Sequence, residues 1–210
     1  MRITWFGHAC FLIEGQGQRI VTDPFNDEVG YDIPQVEADI VTISHEHWDH
    51  NAVETIGGSP RVVRQPGQFE INGIKIEGTG SYHDRSQGRE RGRNNIYVYT
   101  VEGMKVVHLG DLGHQLSEEQ IKTIGSVDVL LIPVGGTFTI DADDAFQMVD
   151  LLKPQIVVPM HFKTPHLSFE IAPVEGFIQK YEQVVKKPYL ELEAPVEVGE
   201  PRVIVLDYKR

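Results

Sequence analysis

The segment Ser44-His45-Glu46-His47-Trp48-Asp49-His50 puts three imidazoles and two carboxylates into positions 45 to 50 of a chain with nine histidines in all. Imidazole nitrogen and carboxylate oxygen are the donors that zinc, iron and manganese accept. Residues this close in sequence are too cramped to surround one ion. They can serve two ions if His45 and His47 point one way while Asp49 and His50 point another. A polar loop in which histidines happen to cluster is the plain alternative, and the density of donors argues against it.

A two-ion site needs more ligands, and three candidates stand just beyond apolar runs. His83 follows the run Ile74–Glu77, Asp111 follows Val106–Leu109, and His161 follows Ile156–Pro159. A single histidine in such a place usually satisfies a structural hydrogen bond. Several strand ends that each offer a ligand type, together with Ile40–Ile43 leading into His45, imply convergence on one rim of a sheet, where open α/β folds place their sites.

The elements that must deliver these residues are short and mostly extended. Runs at Ile3–Phe6, Cys10–Ile13, Ile20–Thr22 and Ile96–Val101 join those above, as does Val129–Ile132, each bounded by Gly, Pro, Asn or Asp. Helical periodicity marks Ser117–Ile124, which opens with a capping-box pattern, and Ala142–Leu152, which stops before Pro154. Val174–Val185 is expected to form a third helix. The chain also echoes itself. Asp23 stands eight positions after Gly15 and Asp111 eight after Gly103, and Ala38–Ile43 resembles Val127–Ile132. Two related β-rich halves with helices outside are expected, within one domain spanning residues 1–210 and of α/β class.

Composition sets outer bounds. Hydrophobic residues make up 40 % and charged residues 24 % of the 210, as in ordinary globular proteins. A formal net charge of −12 counts against a broad nucleic-acid-binding surface. No apolar run reaches membrane-spanning length, and the single cysteine, Cys10, lies in an apolar stretch read as buried. These features lead to the expectation of a cytoplasmic protein with a small-molecule substrate, no membrane partner and no assigned oligomeric state.

The motif His45-Glu46-His47-Trp48-Asp49-His50 resembles the His-x-His-x-Asp-His signature of the metallo-β-lactamase superfamily, and the likeness runs nearly end to end. Gly7-His8, Thr22-Asp23-Pro24, the segment from Pro133 to Thr139 and Pro159-Met160-His161-Phe162 look like one branch of it. That branch holds zinc-dependent hydrolases similar to ascorbate-6-phosphate lactonase and N-acyl-phosphatidylethanolamine phospholipase D. The resemblance implies a four-layer αββα sandwich of two related halves, which agrees with the internal echo. It further implies that His45, His47 and His83 hold one metal, that Asp49, His50 and His161 hold the other, and that Asp111 bridges them. Asp23 would support the site without ligating. His8 would lie near it, either as a substrate contact or proton shuttle or as a buried, hydrogen-bonded histidine.

Two divalent ions, zinc foremost with manganese or iron as alternatives, would lower the pKa of a bridging water and yield a hydroxide nucleophile, with Asp49 orienting it. A lactone, ester, amide or phosphodiester, anionic and small, fits such chemistry. Nucleic-acid processing, a di-iron redox role and a non-catalytic metal-binding role are the other readings. The acidic balance weighs against the first, His47 in place of a glutamate against the second, and the complete ligand set against the third. Around the site, Lys163 and the Gly88–Arg93 loop are candidates to meet an anionic substrate, although that loop reads equally as a solvated hairpin. The Ile132–Gly136 turn offers backbone N–H groups to an anion or simply a tight turn. Trp48 is expected to pack beneath the ligand loop, His108 to pack or face solvent, and His114 to sit in a loop or on the rim.

Overall fold

The computed structural model describes residues 1–194 and 199–209. The strands are, in chain order, β1 (Arg2–Gly7), β2 (Cys10–Gly15), β3 (Gln18–Thr22), β4 (Glu37–Thr42), β5 (Gly57–Val63), β6 (Gly67–Ile71) and β7 (Ile74–Tyr82). They continue as β8 (Arg93–Val101), β9 (Met104–His108), β10 (Val129–Pro133), β11 (Ile156–Met160), β12 (Val184–Lys187), β13 (Leu190–Glu191) and β14 (Arg202–Leu206). One sheet runs β13-β1-β2-β3-β4-β5 and the other β12-β14-β11-β10-β9-β8-β7-β6. Alternating side chains decide how the sheets stack. Ile3, Trp5, Phe11 and Ile13 point into a core shared with the second sheet, whereas Phe6, Cys10 and Leu12 point outward into a separate apolar cluster. Strands β10 and β11 are buried along their whole length, as expected of central parallel strands covered on both faces.

The internal echo is real in three dimensions. In each half two antiparallel pairs lead into two parallel ones: β1-β2-β3-β4-β5 in the first and β7-β8-β9-β10-β11 in the second. The β2–β3 and β8–β9 hairpins turn through Gln16-Gly17 and Glu102-Gly103, with positive φ at all four residues, the conformation that matches strand twist in a two-residue loop. Because β1, β3 and β4 point the same way, as do β7, β9 and β10, the residues after their last positions gather on one rim. These are His8, Asp23 and the 44–50 loop from one half, and His83, Asp111 and the Val134 turn from the other, joined by His161 after β11.

Helices α1 (Glu118–Ile124), α2 (Ala142–Leu152) and α3 (Glu175–Ile178) complete the α/β sandwich. Ser117 and Gln120 form the expected capping box on α1. On α2, Ala145, Met148, Val149 and Leu152 are the buried face, as their spacing predicts. The outer face of the first sheet is covered by less regular chain. There Phe25, Val29, Tyr31, Leu167 and Ile171, around a single 3-10 turn at Asp27–Val29, do the covering. The helix expected over Val174–Val185 is corrected: only Glu175–Ile178 is α-helical. Val184 and Val185 instead pair with Val203 and Ile204 of β14. Gly176 weakens the helix, and the β-branched pair gains more from extending the sheet. Strands β5 and β6 escaped the sequence reading because Gly, Pro and charged residues interrupt them, and β5 lies on a sheet edge, where such residues are tolerated. No helix among the described residues is long and apolar enough to cross a membrane.

Strand β7 continues past Glu77 to Tyr82, paired throughout with β8 up to Tyr82↔Arg93. That extension delivers His83 directly to the rim. The segment after Asp111 then passes so close that a Cβ on Gly113 would stand 2.3 to 2.5 Å from backbone atoms of His83 and Asp84. Gly113→Ala must push these two segments apart, at a cost of about 1–3 kcal/mol. For a chain of this size that corresponds to a fall in melting temperature of roughly 2–12 °C by calorimetry, with unchanged Tm as the contrary result.

Candidate metal centre

Asp23 organises the ligand loop from below. It sits at the end of β3 with φ 39°, anchored by its N–H to the Thr42 carbonyl at 2.9 Å, and is fully buried. Its Oδ1 accepts the Ser44 N–H at 2.7 Å, and its Oδ2 accepts both the Ser44 hydroxyl at 2.5 Å and His50 Nδ1 at 3.0 Å. The Ser44 hydroxyl has one proton and gives it to Asp23, so its oxygen accepts from His45 Nδ1 at 2.9 Å. One carboxylate thus fixes the tautomers of two rings and leaves the Nε2 lone pairs of His45 and His50 facing inward, the arrangement that serves metal-binding histidines.

Those lone pairs meet the donors brought by the other strand ends. His45 Nε2 lies 3.1 Å from His47 Nδ1, and ligand atoms of His45, His47 and His83 fall within 4.8 Å of one another. On the other side His8, His50 and His161 form a second such trio. Between the trios, Asp111 Oδ2 is 3.3 Å from His50 Nε2, 3.2 Å from His83 Nε2, 3.2 Å from His161 Nε2 and 4.0 Å from His45 Nε2. Asn94 steadies it by accepting the Asp111 N–H at 3.0 Å while donating to Ser81 and the Leu109 carbonyl. Asp49 Oδ2 stands 3.6 Å from His50 Nε2 and 3.1 Å from His8 Nε2. A third grouping, Asp23 with His45 and His50, also lies within 4.8 Å. Its carboxylate is already committed to Ser44 and His50, so it supports the rings rather than offering a further ion site.

The charge balance fits cations. Burial pushes the Asp111 and Asp49 carboxyls up, but neighbouring histidines, His161 and His50 for Asp111 and His50 and His8 for Asp49, more than reverse this and keep both ionised. Asp23 is likewise held ionised against its burial by His50 and His108. Burial pulls His45 and His47 toward the neutral form and His8 down to about 4, whereas His50 is carried upward, against its own burial, by Asp111 and Asp49. Asp111 Oδ1, buried, has no hydrogen-bond partner among the described residues, nor do Nδ1 of His8, His83 and His161. Buried carboxylates held ionised, with a carboxylate oxygen and ring nitrogens left without partners, are what divalent ions satisfy.

All eight residues named from the sequence, and Asp23 beneath them, therefore come together. His8 lies on the rim but behind the cavity wall, with no exposed surface. A cavity of about 370 Å³ opens over the cluster, lined by His47, Asp49, His83, Asp111 and His161 and walled by Trp48, Arg91, Phe138 and Phe169. Trp48 is corrected from a packed position to the rim, where it is 47 % exposed, because the buried space under the loop belongs to Asp23 and Ser44. Lys163 is removed from the substrate candidates: its ammonium donates to the Leu167 and Phe169 carbonyls and to Glu170, binding the loop that carries Phe169. The Gly88–Arg93 stretch is no loose hairpin. The Asp84 carboxylate accepts the N–H groups of Ser86, Gly88, Glu90 and Arg91, and Arg91 lies 4.7 Å over the Phe138 ring at the cavity mouth. His108 is buried, accepting from Gly110 N–H and donating to the Ala9 carbonyl, and His114 accepts the Tyr82 N–H away from the cavity. The roles of Ser44 and Phe169 had no local signal, since each depends on what folds against it.

Known proteins resemble this chain in sequence and in fold. A family profile described as the beta-lactamase superfamily domain matches residues 2–161. A metal-dependent hydrolase of Pelotomaculum thermopropionicum is 33 % identical over 195 residues, which cover 78 % of this chain and 85 % of that protein. Another from Thermoplasma volcanium is 30 % identical, covering 78 % of this chain and 84 % of the relative. A crystal structure from Thermotoga maritima, of a protein described as a Zn-dependent hydrolase of the metallo-β-lactamase superfamily, shares 42 % identity. It superposes with a TM-score of 0.83 over 98 % of this chain and 99 % of the other. The chain belongs to the metallo-β-lactamase superfamily.

Proposed function

We propose that this protein is a hydrolase that holds two divalent metal ions, zinc foremost, and cleaves a small anionic ester, lactone or phosphodiester. The observation that carries the reading is Asp111, whose Oδ2 stands between two histidine trios, 3.2 Å from both His83 and His161, while its Oδ1 is buried without a partner among the described residues. His45, His47 and His83 would hold one ion, Asp49, His50 and His161 the other, and Asp111 would touch both. Kinship with proteins named metal-dependent hydrolases supports the reaction class.

Ions held in this way supply Lewis acidity toward a carbonyl or phosphoryl oxygen and a water acidic enough to be a nucleophile near neutral pH. The chain's own residues do the rest. Asp49, ionised and partly open to the cavity, orients the attacking water. Arg91, stacked on Phe138, places a guanidinium where an anionic substituent would enter, and guanidinium binds phosphate and carboxylate in a two-pronged fashion. Phe138, Phe169 and Trp48 exclude water around the reacting bond and pack against the apolar part of the substrate.

Elemental analysis is expected to find about two metal ions per chain, and hydrolysis of lactone, phosphodiester and thioester probes should identify the substrate class. Asp49→Ala should lower kcat by about 10²–10⁴ on whichever probe turns over. Protein that takes up no zinc, manganese or iron would overturn the reading. Arg91→Ala is expected to raise KM for anionic probes by about tenfold or more while sparing neutral ones, the loss of a charged hydrogen bond of roughly 1.5–3 kcal/mol. Asp23→Asn should weaken metal binding by about 10–100-fold in chelator competition, because the amide nitrogen cannot accept from both Ser44 and His50. Equal affinity would show that the ring tautomers are set elsewhere.

A further inference from the structure

We propose that His8 is a ligand of the second metal ion, the counterpart in the first half of what His83 is in the second. The inference rests on the two-ion reading above and adds a fifth protein donor beside Asp49, His50, His161 and Asp111. His8 is the residue that follows β1, and His83 is the residue that follows β7. Strand order and direction make β1 and β7 equivalent, each the outer member of an antiparallel pair that leads through a matching hairpin into the parallel strands. Asp23 and Asp111 are related in the same way, beyond β3 and β9. The pseudo-twofold relation therefore places a histidine beside each ion: His83 completes the trio with His45 and His47, and His8 completes the trio with His50 and His161.

Distances agree. Around one ion with nitrogen ligands at 2.0–2.1 Å, neighbouring donors stand about 3.4 Å apart in a four-coordinate shell and about 2.9 Å apart in an expanded one. His8 Nε2 lies 3.0 Å from His50 Nε2 and 3.1 Å from Asp49 Oδ2, and those two lie 3.6 Å apart, a triangle sized as one face of a coordination shell. His50 turns its lone pair into this triangle because its Nδ1 donates to Asp23. His8 also shares with His83 and His161 a buried Nδ1 with no partner among the described residues and an Nε2 turned toward the cluster.

The backbone around His8 is built to hold the ring still. His8 takes a left-handed conformation with φ 52°, as does His161 with φ 51°, and such strain persists only where the surroundings impose it. The His8 carbonyl accepts from the His161 N–H at 3.1 Å and from the Trp5 indole at 3.0 Å. The next carbonyl, of Ala9, accepts from the Thr22 hydroxyl and from His108 Nε2, each at 2.9 Å. Two strained histidines from opposite sheets are thus tied to each other by their own main chains, with their rings 4.3 Å apart.

The test is nuclear magnetic resonance of the full chain labelled with ¹⁵N-histidine and loaded with ¹¹³Cd. The expected result is one-bond coupling of His8, His50 and His161 to one cadmium resonance and of His45, His47 and His83 to the other. Coupling at His50 and His161 without coupling at His8 would overturn the proposal and leave His8 as a hydrogen-bond donor to Asp49. Absence of coupling at all three would overturn it too, and would locate the fault in the two-ion reading. As a second measurement, His8→Asn keeps a residue that tolerates the left-handed backbone but shortens the side chain. It should retain the first zinc and bind the second about a hundredfold or more weakly, beyond the 10–100-fold that loss of an outer partner costs. Unchanged affinity for both ions, in a variant whose chelated form unfolds as the wild type does, would again refute the assignment.

Discussion

The buried carboxylate of Asp23 is the constraint around which the centre is arranged. A charge removed from water must be met by hydrogen bonds, and Asp23 meets its need with the Ser44 amide and hydroxyl and with the His50 ring. These partners lie at the start and end of the ligand loop, so satisfying one charge folds the loop and aims two rings together. The left-handed backbone at Asp23 costs on the order of 1–3 kcal/mol and is sustained by the same bonds. If that carboxylate were lost, His45 and His50 would each be free to turn the wrong nitrogen inward.

The other half reaches the same rim by different means. Asp111 occupies the place equivalent to Asp23, yet its carboxylate lies among His50, His83 and His161 instead of beneath a loop. Asn94 and the close pass of Gly113 against His83 position it. Related strand ends therefore take opposite tasks: one acid serves the backbone and ring tautomers, and the other faces the space between the trios. The sheets bring the halves into contact through the Ser44 carbonyl, which accepts the Asn95 N–H at 2.8 Å.

Much of this was legible because it is local or periodic. The six-residue cluster of donors, the apolar runs before His83, Asp111 and His161, the capping box at Ser117 and the buried face of α2 each carry their meaning in a few adjacent residues. The matching of Gly15–Asp23 with Gly103–Asp111 displayed the repeat, because hairpin turns need particular residues at fixed spacing. What was misread depends on distant partners. Val184 and Val185 suit a helix or a strand equally until β14 lies beside them. Trp48 looks like a core residue until Asp23 and Ser44 fill the space below the loop. Lys163 resembles a substrate contact until the carbonyls of Leu167 and Phe169 close around it, and Phe169 itself reaches the cavity only because that loop folds back.

The turn from Asp84 to Gly92 is closed on itself. One side chain gathers four backbone amides, the Gly92 carbonyl accepts the His83 N–H at 3.1 Å, and outer contacts are the ion pair of Arg85 with Asp144 and the stacking of Arg91 on Phe138. Such a segment behaves as an interchangeable part. The residues between its ends can drift without moving a donor of the centre, provided that Asp84 stays to gather the new backbone and the Gly92 carbonyl keeps its bond to His83. Evolution can thereby retune what enters the cavity while the chemistry beneath stays fixed, and an engineer seeking a new specificity has a natural place to begin.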